Sequence, residues 1–169
     1  MRAGGDGIAE ARAGMGVRPA WDTASRRVNG FEVLPASVLG RPRVDVTLRI
    51  SGFFRDAFPG LIDLVDSAVR AVADLEEPAA TNPLAARVKR EAAGLVADGM
   101  DPADATRRAG FRVFGSKPGA YGAGLQALID KKGWQTDKDL ADAYVAWGGY
   151  AYGSGSHGNA ERSLFETRL

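Results

Sequence analysis

Two short stretches hold the residue types that could do chemistry. The first, Ser51-Gly52-Phe53-Phe54-Arg55-Asp56, sets a hydroxyl, a guanidinium and a carboxylate around two aromatic rings. The second, Gly115-Ser116-Lys117-Pro118-Gly119-Ala120-Tyr121, offers a hydroxyl, an ammonium and a phenol among glycines. Arg and Lys donate charge-assisted hydrogen bonds to carboxylates, and flat side chains such as Phe53, Phe54 and Tyr121 cover planar apolar surface. Together the stretches suit a planar ligand with an anionic periphery. Ser51, Arg55, Asp56, Ser116, Lys117 and Tyr121 form the candidate substrate-binding set. Residues 105–118 add Arg107, Arg108 and Arg112 to Lys117 without an acidic residue among them. The competing reading, with the aromatics in a core and the arginines solvated, stands beside this one.

Other motifs fail on spacing. Gly110 and Gly115-Ser116-Lys117 approach a P-loop, but the Lys comes one place late and Pro118 stands where a Ser or Thr must open a helix. Gly119, Gly122 and Gly124 are in the wrong order for a dinucleotide fingerprint and read as close packing of a helix. His157, the single histidine, lies in a glycine-rich stretch, and one His without Cys or a nearby carboxylate cluster does not make a transition-metal site. Ser154 or Ser156 with His157 lacks the context of a nucleophile elbow. No catalytic acid or base stands out among the 21 acidic residues.

The elements that must position these stretches follow from periodicity. Val44, Val46, Leu48 and Ile50 alternate with Asp45, Thr47 and Arg49, which predicts a strand over 44–50 with one buried face. Ser51 to Asp56 is then a tight loop leading to a helix that opens near Pro59. A second strand, 111–114, runs into the loop 115–119 and a helix over 120–132. Strand, glycine loop and helix thus occur twice. If the strands are parallel, both loops share the rim at their carboxyl ends, where ligands of open α/β sheets bind.

Between the strands lie three helices. The first, 59–75, carries Leu61, Val65, Ala68, Val72 and Leu75 on one stripe, with Asp63, Ser67, Arg70 and Asp74 opposite. An Asp66–Arg70 pair is expected on the solvated face. Asn82-Pro83 and Asp101-Pro102 each place a capping residue before a first-turn proline, opening helices that stop near Asp98 and Gly110. Earlier, 6–15 reads as a helix closed by Gly16, and 17–21 and 28–34 as extended pieces joined by a polar turn over 22–26. Residues 35–39 read as a brief helical turn. Later, Thr136 with Asp139 resembles a capping box for a helix through Trp147. Residues 148–158 read as a glycine-aromatic loop, and a last helix after Asn159 is expected to be still running at Leu169, as in a chain cut inside a larger protein.

Composition sets the class. A chain of 169 residues, 45% apolar and 25% charged, suits one folded domain. Its 22 basic and 21 acidic residues nearly cancel, so no whole-protein field favours nucleic acid or an anionic membrane. The absence of cysteine fits a reducing compartment, and the expected location is cytoplasmic. The fold expected is α/β, a small mainly parallel sheet with flanking helices and an inserted helical layer, one partial domain of a larger multidomain protein.

Several blocks carry a family likeness: Gly16-Val17-Arg18-Pro19 with Trp21-Asp22, residues 40–46 running on into 51–56, residues 114–122, and Ala146-Trp147-Gly148-Gly149-Tyr150-Ala151-Tyr152-Gly153. In these the chain resembles the large subunit of cobaltochelatase, CobN, and more distantly the H subunit of magnesium chelatase. Phe54, Lys117 and Trp147-Gly148-Gly149 resemble the cobalt branch. The resemblance implies ATP-dependent insertion of Co(II), the substrate metal, into hydrogenobyrinic acid a,c-diamide during aerobic cobalamin synthesis. It implies a ligase subunit that holds the corrinoid substrate while AAA+ partner subunits of the CobS and CobT type use ATP and Mg2+, in keeping with the failed P-loop. The alternatives are a non-catalytic scaffold or docking module for those partners, or a porphyrin-binding subunit of the magnesium chelatase H type. On its own the chain is expected neither to hydrolyse ATP nor to insert cobalt.

Overall fold

Capping residues and prolines set the starts of several helices in the computed structural model, which describes residues 5–22, 24 and 28–169. The Asn82 side chain accepts from Ala85 N at 2.9 Å. Asp101 accepts from Ala103 N at 2.8 Å. With a proline following each cap, Pro83–Ala97 and Pro102–Ala109 are helices, α5 and α6 once the chain is numbered in order. Before them come α1 (Gly5–Met15), β1 (Val17–Trp21), β2 (Val28–Val33), α2 (Ala36–Leu39), β3 (Leu48–Arg49), α3 (Gly52–Ala57) and α4 (Pro59–Ala73). After them come β4 (Val113–Gly115), α7 (Gln126–Asp130), α8 (Asp137–Gly148), β5 (Tyr150–Gly153), β6 (Ser156–Ala160) and α9 (Arg162–Glu166). The capping box at Thr136 and Asp139 is present at the start of α8.

The chain forms two units, the first made of Met1–Val46 and Leu64–Phe111. Within it β1 and β2 pair antiparallel with Val17 opposite Val33. The expected turn between them lies, at Thr23, Ser25 and Arg26, outside the described residues. Met15, Val17, Val65, Val69, Val72, Leu84 and Val88 are buried in this unit's core. The stripe expected on α4 holds at Val65, Ala68 and Val72, while Leu61 and Leu75 are half-buried.

The unit's largest polar feature is Arg43, fully buried. Its guanidinium donates to both carboxylate oxygens of Glu77 at 2.7 and 2.9 Å. It also donates to the carbonyls of Met15 at 2.9 Å and Leu34 at 2.8 Å. Asn82 adds a bond from its amide nitrogen to Glu77 at 3.0 Å. Asp66 corrects the expectation of a solvated pair. It is 1% exposed and is held by Arg107 at 2.9 Å as well as by Arg70 at 3.4 Å. The second cation comes from α6, and an i,i+4 rule sees one helix only.

The second unit comprises Thr47–Asp63 and Arg112–Leu169. Its sheet has the order β3-β4-β5-β6. β3 and β4 are parallel, Leu48 opposite Val113. β4–β5 and β5–β6 are antiparallel, so the sheet is mixed and not mainly parallel as expected. The reason is that residues 148–158, expected as a loop, form the β5–β6 hairpin, which turns at Ser154-Gly155. The strand expected over 44–50 is regular only at Leu48–Arg49. Upstream, Arg43 N and Val44 N donate to Thr81 and Gly14 carbonyls in the first unit, and Val44 is exposed. The helix expected over 120–132 is reduced to α7, and the last helix ends at Glu166, not at Leu169. Phe114 and Phe165, 5.0 Å apart between ring centroids, form the centre of this unit's core.

Candidate functional site

The loops leaving β3 and β4 meet on one rim, as the repeated strand-loop pattern predicts. The expected loop over 51–56 is mostly helix. Ser51 caps α3, its hydroxyl accepting from Phe54 N at 3.1 Å. This turns Phe54 and Arg55 inward and leaves Phe53 and Asp56 outward.

Arg55, only 8% exposed, is the post to which the second loop is tied. Its Nη1 donates to the carbonyls of Lys117 at 2.9 Å, Ala120 at 3.1 Å and Ser116 at 3.3 Å. Its Nε and Nη2 form a fork on the Asp56 carboxylate at 2.6 and 2.9 Å. Tyr121 closes the circuit. Its hydroxyl donates to Asp56 at 2.6 Å, and its ring lies 5.5 Å from the Arg55 guanidinium. Tyr152 donates to Ser116 O at 2.5 Å and the Ser116 hydroxyl to Ala120 O at 2.7 Å. Gly52 lets the layers approach, since a Cβ there would stand 2.6 Å from Ala120 O.

The charges support one another. The bond to Asp56 raises the Arg55 pKa against the opposing effect of burial. Arg55 first, and Tyr121 second, hold the Asp56 carboxyl below its usual range. The bond to Asp56 raises the Tyr121 phenol, and burial raises that of Tyr152.

All six expected site residues therefore belong to one constellation, with different parts. Ser51, Arg55 and Ser116 are occupied with holding the backbone. Asp56, Lys117 and Tyr121 face solvent. The Lys117 ammonium has no partner among the described residues. Of the aromatics expected on the rim, Phe53 and Tyr121 are 69% and 60% exposed, while Phe54 is buried. Of the arginine run, Arg112 is buried, and Arg107 is bound to Asp66 within the first unit.

A shallow cleft of about 190 Å³ lies beside the rim, lined among others by Asp56, Asp63, Pro118 and His157. This is below the roughly 300 Å³ at which pockets begin to enclose a drug-sized ligand, so this surface offers an edge and not an enclosure. His157 lies on β6 and not in a loop. Among the described residues no group of three His, Cys, Asp or Glu is placed to hold a metal ion.

Sequence reasoning misses Trp147. The pattern places it near the end of a helix, while its indole nitrogen donates to Gly122 O at 3.0 Å and its ring covers Gly124. The signal lies in Gly119, Gly122 and Gly124. All three have positive φ, +79°, +82° and +81°, which a glycine series permits and a helix does not.

Comparison with known proteins agrees along the whole chain. The family model CobN/Magnesium Chelatase matches residues 1–169. The aerobic cobaltochelatase subunit CobN of a Sinorhizobium species is 64% identical over 169 residues, all of this chain and 13% of that protein. The magnesium-chelatase H subunit of Rhodobacter capsulatus is 36% identical, again over 100% of this chain and over 14% of its own length. Among solved structures, the catalytic subunit of cobaltochelatase from Mycobacterium tuberculosis matches 98% of this chain with a TM-score of 0.87 and 52% identity, over 13% of its own length. The chain thus spans a small part of each of these relatives.

Proposed function

Because the chain belongs to the CobN/magnesium chelatase family, we propose that it forms part of a cobaltochelatase subunit and that its rim holds one edge of the corrin into which Co(II), the substrate metal, is inserted. The single observation that carries this reading is Lys117, an exposed ammonium without an internal partner among the described residues, on the same loop after β4 as the exposed Tyr121. A corrin with acidic side chains offers a flat apolar body and peripheral carboxylates. Tyr121 and Phe53 suit the first and Lys117 the second. Asp56 fixes the Tyr121 hydroxyl, and Ser51, Arg55 and Ser116 fix the backbone below it. The higher identity to the cobalt branch than to the magnesium branch favours a corrin over a porphyrin. In this reading the substrate is hydrogenobyrinic acid a,c-diamide, ATP and Mg2+ are used by AAA+ partners of the CobS and CobT type, and the 169 residues are one partial domain of a cytoplasmic enzyme.

The test is Lys117→Ala in a full-length subunit carrying this sequence, titrated with corrin by fluorescence quenching in the absence of partners. Loss of a charge-assisted contact of about 1.5 to 3 kcal/mol weakens binding roughly tenfold or more. An unchanged dissociation constant overturns the ligand-holding role, and weakened assembly of the same variant with AAA+ partners would then assign the rim to docking.

A further inference from the structure

We propose that Trp147 is a positioning residue of this rim: its indole fixes the glycine segment 119–124 and thereby sets where Tyr121 stands toward the ligand. The inference rests on the reading of the rim as a corrin-holding edge. Three glycines with positive φ leave residues 119–124 without a strand or helix ladder and with wide backbone freedom. Two anchors remove that freedom. On one side Arg55 and the Ser116 hydroxyl hold Ala120 O. On the other, Trp147 holds Gly122 O by its N–H and lies against Gly124 where any Cβ would overlap the ring.

Tyr121 is the one residue between the two anchored carbonyls. Its own side chain is tied to Asp56 on the far side. Without the Trp147 bond the backbone of the segment is held at Ala120 alone, and the Tyr121 ring keeps only its tie to Asp56. Trp147 itself is mounted on α8, whose start is fixed by the Thr136–Asp139 box. The ring remains 38% exposed, so burial of an apolar side chain does not account for a tryptophan there. The N–H bond does, because the indole carries a hydrogen-bond donor on an apolar body and here sets it 3.0 Å from Gly122 O.

The experiment uses the full-length subunit with Trp147→Phe, which keeps a ring over Gly124 and removes the donor. Hydrogen exchange read by mass spectrometry is expected to speed up roughly fivefold in peptides covering 117–125, with peptides from β4 unchanged. Corrin affinity is expected to fall several-fold when Tyr121 is present and not to change further in a Tyr121→Ala background, the signature of action through Tyr121. An equal loss in both backgrounds, or unaltered exchange over 117–125, overturns the proposal. Failure of the corrin reading is recognised separately: Lys117→Ala and Tyr121→Ala would both leave corrin affinity unchanged, while the exchange measurement still decides whether Trp147 is the clamp.

Discussion

Replacing Arg55 by Ala removes the post that ties α3 to the loop after β4, and the cost follows from what remains. Arg55 contacts the carbonyls of Ser116, Lys117 and Ala120, and losing all three bonds at face value suggests unfolding of the unit. None of these carbonyls is orphaned, however. Ser116 O keeps the Tyr152 hydroxyl, Ala120 O keeps the Ser116 hydroxyl, and Lys117 O keeps Ala120 N at 2.9 Å. Asp56 loses its fork, but its side chain is 46% exposed and retains Tyr121. The penalty for a stranded buried acceptor is therefore avoided, and the loss is of the order of one set of charge-assisted bonds, about 1.5 to 3 kcal/mol. In native-state hydrogen exchange of the full-length subunit, protection over 115–121 should fall by roughly ten- to a hundredfold. Arg55→Lys should recover only part of it, because one ammonium cannot serve Asp56 and three carbonyls with a planar fork. Protection unchanged in Arg55→Ala would refute the account, and so would a collapse extending through β5 and β6.

Further substitutions test the scaffold. Glu77→Gln leaves the buried Arg43 guanidinium without its counter-charge and should destabilise the first unit by about 3 kcal/mol or somewhat more, read as lost exchange protection in α1 and α5. Arg43 holds the Glu77 carboxyl below its usual range, so this stabilisation is present above the unfolded carboxyl value of about 4.3 and is lost as pH falls through the lower folded value; the same protection should drop in acid in the wild type and not in Glu77→Gln. Gly52→Ala should loosen 120–121 because its Cβ meets Ala120 O, whereas Gly60→Ala, with open space around it, should leave exchange unchanged or slower.

Much of this architecture is legible in residues that act locally. Asn82, Asp101 and Thr136 announce their helices because a cap needs only the next three residues. Ser51 is the same kind of signal, yet the stretch reads as a loop because Gly52 and two aromatics mask a helix of six residues. The parallel β3–β4 pair is legible from repetition of a strand-loop-helix pattern. The alternation over 44–50 misleads, since Val44 N donates to Gly14 O, and Arg43 N just before it to Thr81 O, partners distant in sequence and invisible to a period-2 count. The hairpin over 150–160 is hidden by glycines at 153, 155 and 158, which look like a linker until their strand partners are known.

The reason that singles out the site residues meets a second use of arginine in the structure. A chain with 22 basic residues, mostly Arg, suggests guanidinium forks aimed at a ligand's carboxylates. Two buried forks instead face inward on the same plan: Arg43 gathers Met15 O, Leu34 O and Glu77, and Arg55 gathers Ser116 O, Lys117 O, Ala120 O and Asp56. Each staples segments that are remote in sequence by satisfying carbonyls that no ladder reaches. They differ at the carboxylate. The Glu77 side chain is 15% exposed, whereas that of Asp56 is 46% exposed and shared with Tyr121. The Arg43 staple ends in the interior and can only stabilise. The Arg55 staple ends at the surface in the Tyr121 phenol, on the loop that also carries the exposed Lys117, so the rigidity it confers is delivered to groups that meet solvent, which is the property a ligand edge requires and a core does not.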